Sequence, residues 1–416
     1  MTSVATALRP TTAVRSLTPR AARERWRTRR AAVAWMLLYL NVATYYGSLV
    51  IPVPVQVGKA VVQSALLAAL LLALSANRKL TVRPNFYMCL VSLLALETTI
   101  SALDPASFGT VYRTFRLLGF VVALWLLTPW WGRRDMLLVR AHLIFLGILL
   151  GVTLLGFLVD PGQAFAADRL SGVIWPIPPP QVAHYAGVAM GLVVVLWFSG
   201  RLGGKSTAII ASATGTMLIL THTRTALVGV IAGIVVAGLS LVTVKARVRR
   251  FFAAVMTMGG LAVITASSFL ATWLARGEGL NGITSLSGRT KVWGALLSEP
   301  RSKFEMLFGF GLSNSSFQGQ AIDSTWLSTY LEQGLIACVI CGGMLLFLLL
   351  DAYFQPRKPE RAVALFLVTY CLVASFTEDG FSDATSYLLD MTLAASCLVP
   401  YARARTLDKA KLPRLV

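Results

Sequence analysis

The sequence predicts an all-α polytopic membrane protein of about 12 transmembrane helices with one large extracytoplasmic loop bearing short helices. Three observations predict it. The 416 residues are 56% hydrophobic and 13% charged, against about 25% charged for a soluble domain. Apolar runs of about 18 residues or more recur from end to end, without the alternation a membrane barrel requires. The charges are also sorted: one alternating set of connections holds 28 of the 38 cations and five of the 18 acids. Such sorting follows the positive-inside rule and puts both termini in the cytoplasm.

Residues 1–30 read as a disordered, basic cytoplasmic tail whose closing Arg cluster, through Arg29 and Arg30, suits anionic membrane lipid. The first apolar run follows at once and reads as a signal anchor, with no small-residue cleavage site. Apolar stretches near 31–51, 60–76, 86–103, 108–128, 136–159, 180–199, 207–222, 225–244 and 251–273 supply transmembrane helices 1–9. Residues 274–325 form the large extracytoplasmic loop. It is rich in Gly and Ser, and its Trp-, Phe- and Leu-bearing segments predict short interfacial helices. Stretches near 326–350, 362–378 and 384–400 supply helices 10–12, and 401–416 is a second cytoplasmic tail. No second soluble domain and no internal repeat is visible.

A net charge of +20 raises the possibility of nucleic acid as a partner. The placement of the cations between spans explains the charge instead, so no nucleic acid is expected. The five cysteines fall inside predicted spans. Cys338 and Cys341 have redox spacing but no flanking His or charge, and read as inert buried thiols. No metal-ligand spacing and no phosphate-binding Gly loop occurs, and no cofactor is implied.

The informative residues are cations on the wrong side. Arg113, Arg116, Arg169, Arg224, Arg276, Arg289 and Arg301 fall on the extracytoplasmic side of this topology, where orientation disfavours them. Arg113 and Arg116 share a helix face at i, i+3. Snorkelling, or pairing with Asp104, Asp168 or Glu97, is the plain alternative. A converging set of guanidinium groups suits a phosphate or pyrophosphate, because each is a permanent charge with forked donors. His184 and His222 lie near the same surface. His142 lies in the opposite half of its span and suits a polar core contact. The turn Glu378-Asp379-Gly380-Phe381-Ser382-Asp383 reads as solvated loop acids, with binding of a cation or the acceptor as the alternative.

Four segments, in order, resemble the O-antigen ligase and O-antigen polymerase superfamily of bacterial membrane glycosyltransferases. They are Arg169-Leu170-Ser171-Gly172 before a Pro-rich run and Ala183-His184-Tyr185; Thr223-Arg224-Thr225-Ala226-Leu227-Val228-Gly229; Ser287-Gly288-Arg289 with Trp293 and Phe308-Gly309-Phe310-Gly311; and Asp323-Ser324 followed by Gly334-Leu335-Ile336-Ala337. Together they span roughly the carboxy-terminal 60% of the chain. The resemblance implies a GT-C-like fold in a bacterial plasma membrane. It also implies metal-independent, inverting transfer or polymerisation of a glycan from a polyprenyl-pyrophosphate donor to the hydroxyl of a glycan, lipid or polymer acceptor. By that likeness Arg169 and Arg224 are catalytic, Arg113, Arg116 and Arg289 hold pyrophosphate, and His222, His184, Glu332 and Trp326 line the substrate cavity. The sequence departs from the family at two positions: Asp323 stands where the family has its His base, and Ala337 where it has its final Gly. A carboxylate serves as a base for a sugar hydroxyl when it is partly desolvated. Asp323 equally suits a helix cap before Trp326 and Leu327.

Overall fold

The computed structural model describes residues 19–43, 50, 54–103, 107–165, 168–258, 289–313 and 315–400. Residues 401–416, the loop around Arg276, and Asp104 lie outside the described residues. The helices are α1 (Pro19–Val42), α2 (Val55–Ala76), α3 (Phe86–Ser101), α4 (Phe108–Leu127), α5 (Leu137–Val159), a single turn α6 (Pro161–Ala164), α7 (Pro179–Phe198), α8 (Gly204–Leu220) and α9 (Arg224–Leu241). After a helical run at 246–258 come α10 (Arg289–Ser298), α11 (Lys303–Phe308), α12 (Thr325–Phe354), α13 (Pro359–Ala374) and α14 (Ser386–Leu398).

Among the described residues, six helices are long and apolar enough to cross a membrane: α2, α4 with the turn that follows it, α5, α7, α9 and α12. The shorter apolar helices α3 and α14 pack among them. The chain thus has the make-up of an all-α, multi-pass membrane protein. One sequence expectation is corrected at the amino terminus, where residues 19–30 are helical. The Ala- and Arg-rich stretch has high helix propensity, and it is tied down: Arg27 Nε donates to the carbonyl of Ala76 at 2.6 Å.

With little hydrophobic force between helices in lipid, close packing must come from small residues. Gly187 and Gly191 on α7, and Gly229 and Gly233 on α9, form two small-xxx-small faces. Phe366 and Tyr370 of α13 fill the space between them. A Cβ on Gly191 would fall 1.8 Å from Phe366 Cζ, and one on Gly233 would fall 2.7 Å from Phe366 Cδ2. The α7, α9 and α13 helices are therefore held in one register.

Contacts separate the two ends of the bundle. At the basic end, Arg83 N–H donates to Thr128 Oγ1 at 2.9 Å and Gly132 N–H to Ser396 O at 2.8 Å. Here Arg133 pairs with Asp135 at 2.7 Å and Arg201 with Glu360 at 3.5 Å. The Arg133 charge and hydrogen bond hold the Asp135 carboxyl below the usual carboxylate range against the opposing effect of burial. The opposite end gathers the end of α3, the starts of α4, α9 and α12, residues 309–315, and the α13–α14 connection. The short helices expected in the large loop are there as α10 and α11. Beyond them is a small hairpin, β1 (Ser316–Phe317) with β2 (Gln320–Ala321). Its turn, Gln318-Gly319, has positive φ at both residues, as a tight primed turn demands.

Candidate functional site

Two glycines build the frame of the site. Gly334 interrupts α12 with φ 74° and ψ −171°, and Gly309 ends α11 with φ 73°. A Cβ on Gly334 would lie 2.3 Å from the backbone of Leu307, and one on Gly309 would lie 2.3 Å from Gln333 N. The bare backbones interlock, and Phe310 N–H and Gly311 N–H donate to Leu331 O (3.0 Å) and Glu332 O (2.7 Å). Gly334→Ala is expected to lower stability by about 1–3 kcal/mol from the backbone conformation alone, read as a drop in thermal midpoint in detergent. An unchanged midpoint would show that the interlock carries no weight.

That interlock turns Glu332 inward. Its side chain is buried, and Oε1 accepts from Ser313 N–H (2.9 Å), Ser313 Oγ–H (2.7 Å) and Ser315 N–H (2.7 Å). Glu332, expected to line the substrate cavity, thus holds Ser313 and Ser315 over α12. Ser101 Oγ donates to Glu332 O at 2.8 Å, which brings in α3. Asp379 joins from the α13–α14 connection, accepting from Ser328 Oγ. Burial pushes the Asp379 carboxyl above the usual carboxylate range, and the Asp383 charge adds to this. Hydrogen bonds from Ser315 and Ser328 and the charge of Arg113 work the other way. The expectation of solvated acids at this turn is therefore corrected for Asp379, because the connection packs onto the start of α12.

The raised carboxyl has a sign. Above the ordinary Asp value the folded protein holds more protons than the unfolded chain, so Asp379 makes stability fall as pH rises from about 4. Asp379→Asn removes that slope. Thermal midpoints across acidic to neutral pH should fall less steeply for the variant, and parallel curves would count against the assignment.

The cations come to the same end. Arg113 and Arg116, on α4 capped by Ser107, donate to Ser313 O and Ala384 O respectively. The Arg169 guanidinium donates to Thr221 O (2.9 Å) and Thr223 Oγ1 (3.0 Å) and closes the α8–α9 turn. His222 sits in that turn with φ 50°. Arg224 follows as the first residue of α9, and its Nε and Nη2 are buried without a hydrogen-bond partner among the described residues. Arg116 Nε is in the same state. Buried donors left unpaired are costly.

A chain of contacts links Arg224 to Asp323. Thr225 Oγ1 lies 2.6 Å from Thr377 Oγ1, and Thr325 Oγ1 donates to Glu378 O at 2.8 Å, two residues past Asp323. Asp323 is half-buried; the amino-terminal cap position of α12 is its neighbour Ser324, which makes no side-chain cap bond. Trp326 Nε1 donates to Ser375 Oγ at 3.1 Å, which docks the start of α12 on α13. Arg289 opens α10, and its side chain lies outside the described residues. Arg301 lies over the Tyr330 ring, 4.9 Å from its centroid.

His184 is a correction. It is expected on the substrate cavity, but in the second turn of α7 it faces the packed interior and is buried. Its Nε2 is 3.1 Å from Asp390, and His142 Nε2 is 3.1 Å from the other oxygen of the same carboxylate. His142 thus makes the polar core contact expected of it. Glu97, considered as a partner for an Arg, is buried on α3 with neither oxygen hydrogen-bonded among the described residues. Among the described residues no three His, Cys, Asp or Glu side chains are grouped as a metal site requires. No protein-family model and no curated protein matches this chain.

Proposed function

We propose that this chain is an extracytoplasmic membrane glycosyltransferase of the O-antigen ligase or polymerase type. It crosses a bacterial plasma membrane about 12 times in a GT-C-like plan, with the basic end and both termini in the cytoplasm. The donor is a glycan on polyprenyl pyrophosphate, whose tail lies between helices. The acceptor is a hydroxyl on a second glycan, lipid or polymer. The bond from the anomeric carbon to the pyrophosphate oxygen breaks, and a bond from that carbon to the acceptor oxygen forms. The acceptor proton passes to Asp323, and the polyprenyl pyrophosphate leaves with its charge held by Arg224 and Arg116. Arg169 holds the turn that presents Arg224.

The single observation that carries this reading is the buried, unpartnered guanidinium nitrogens of Arg224 and Arg116 at one end of the bundle. Permanent forked cations suit a pyrophosphate leaving group. A second reading, a transporter for an anionic or lipid-linked substrate, is favoured by one feature: the buried His142–Asp390–His184 cluster. Intramembrane ionisable groups often serve proton-coupled movement.

One experiment separates them. The purified chain is given polyprenyl-pyrophosphate glycan and candidate acceptors, with and without chelator, and in parallel is reconstituted in liposomes. Release of polyprenyl pyrophosphate that survives chelation and fails in Asp323→Ala is the expected result. Movement of intact donor across the bilayer with no bond cleaved would overturn it in favour of transport.

A further inference from the structure

The basic end contains a cleft that the proposed chemistry does not use. It has a volume of about 520 Å³ and lies where the end of α12, the start of α13 and the end of α14 meet. Four cations line it: Arg134, Arg201, Lys358 and Arg361. Glu360 is the one acid in its lining, and it lies 3.5 Å from Arg201. No carboxylate among the described residues lies within ion-pair distance of Arg134, Lys358 or Arg361. Cations of this orientation normally face open water. Here Arg134, Arg201 and Lys358 stand exposed around a concave space, and Arg361 is half-buried in it.

Two details point to an occupant. Arg361 Nη1 donates to Gln355 O at 2.9 Å, which fixes the guanidinium, while its Nε is buried with no partner. Part of the lining is apolar, from Leu398 and Val399. A fixed guanidinium fork, three more cations and a partly apolar lining match a phosphate ester with a greasy neighbour. A nucleotide base has no stacking partner here, since no aromatic side chain lines the cleft.

We propose that this cleft binds a phosphate-ester anion, the group carried by anionic phospholipid headgroups and by small free phosphates. Its position at helix ends puts the anion at headgroup level, with the apolar part of the lining toward the acyl chains.

The test uses the full chain purified in detergent and loaded with phosphatidylglycerol or phosphatidylcholine, with retained lipid counted by native mass spectrometry. Phosphatidylglycerol should be retained, and phosphatidylcholine should not. Lys358→Gln with Arg361→Gln should weaken retention by about fivefold for each cation removed. Because Arg361 also bonds Gln355, a second variant, Arg134→Gln with Lys358→Gln, leaves that bond intact and should weaken retention equally. Arg78→Gln with Lys79→Gln removes basic-end cations that do not line the cleft and should change nothing. Millimolar inorganic phosphate or glycerol 3-phosphate identifies the source. If either binds at this strength and displaces the lipid, the ligand is a free phosphate; if neither does, it is the lipid. The proposal is overturned if both cleft variants retain phosphatidylglycerol like the unaltered chain, or if the Arg78 and Lys79 variant loses as much as they do.

Discussion

Replacing Arg224 with alanine should lower donor cleavage by about 10²–10³-fold, the usual cost of removing one preorganised donor to a developing anion. The same change should leave the thermal midpoint unchanged or slightly raised. Nε and Nη2 of Arg224 are buried without protein partners, so the folded protein loses no internal bond and is relieved of two unsatisfied donors. Arg224→Lys should rescue little, because an ammonium keeps the charge but not the planar fork. Arg169→Ala offers the contrast. Its guanidinium bonds Thr221 O and Thr223 Oγ1, so its loss should lower both activity and stability. Cleavage rates and melting curves on the three variants separate a ligand-facing Arg from a turn-holding one. Full cleavage by Arg224→Ala would remove the basis for an anion at this position.

How much of this was legible in the sequence differs residue by residue. The helices near the predicted spans were legible because long apolar runs have few structural alternatives. Arg224 was legible because a cation at a tight turn between apolar runs violates the orientation rule. Gly309 and Gly334 were visible as short glycine motifs, but their interlock was not. It depends on two backbones meeting, and no periodicity records that. The sequence reads Asp379 as solvated because its half-burial, and the bond it accepts from Ser328 Oγ, arise only where the α13–α14 connection meets the start of α12. His184 was placed on the wrong surface because the start of α7 at Pro179 lay about where expected, yet the inward-facing side of the helix could not be read from an almost wholly apolar stretch. Asp390 went unmarked for the same reason: a lone acid in an apolar run names no partner until the fold supplies two histidines.

Asp390→Ala should then cost about 3–5 kcal/mol of stability, the range for removing one partner of a buried pair. The carboxylate is fully buried on α14, with one oxygen 3.1 Å from His142 Nε2 on α5 and the other 3.1 Å from His184 Nε2 on α7, so it joins three helices by close polar approach although the angles fall outside hydrogen-bond geometry. A carboxylate only accepts, so an imidazole that bonds it does so through a proton on Nε2. That leaves His184 Nδ1 to meet the Tyr370 hydroxyl, 3.2 Å away on α13, and brings in a fourth helix. Asp390→Asn keeps the shape and retains one acceptor, while its amide donates to the other imidazole if that ring changes tautomer. Its loss should therefore be smaller than that of alanine. Asp390→Ala with His184→Gln should cost less than the two single changes together, because the pair shares one interaction. Denaturant unfolding in detergent gives all four numbers. A smaller penalty for asparagine with subadditive coupling would mark the cluster as a structural tie between helices. If Asp390→Ala unfolds like the unaltered chain but loses pH-dependent substrate movement in liposomes, the cluster moves protons and the transport reading gains.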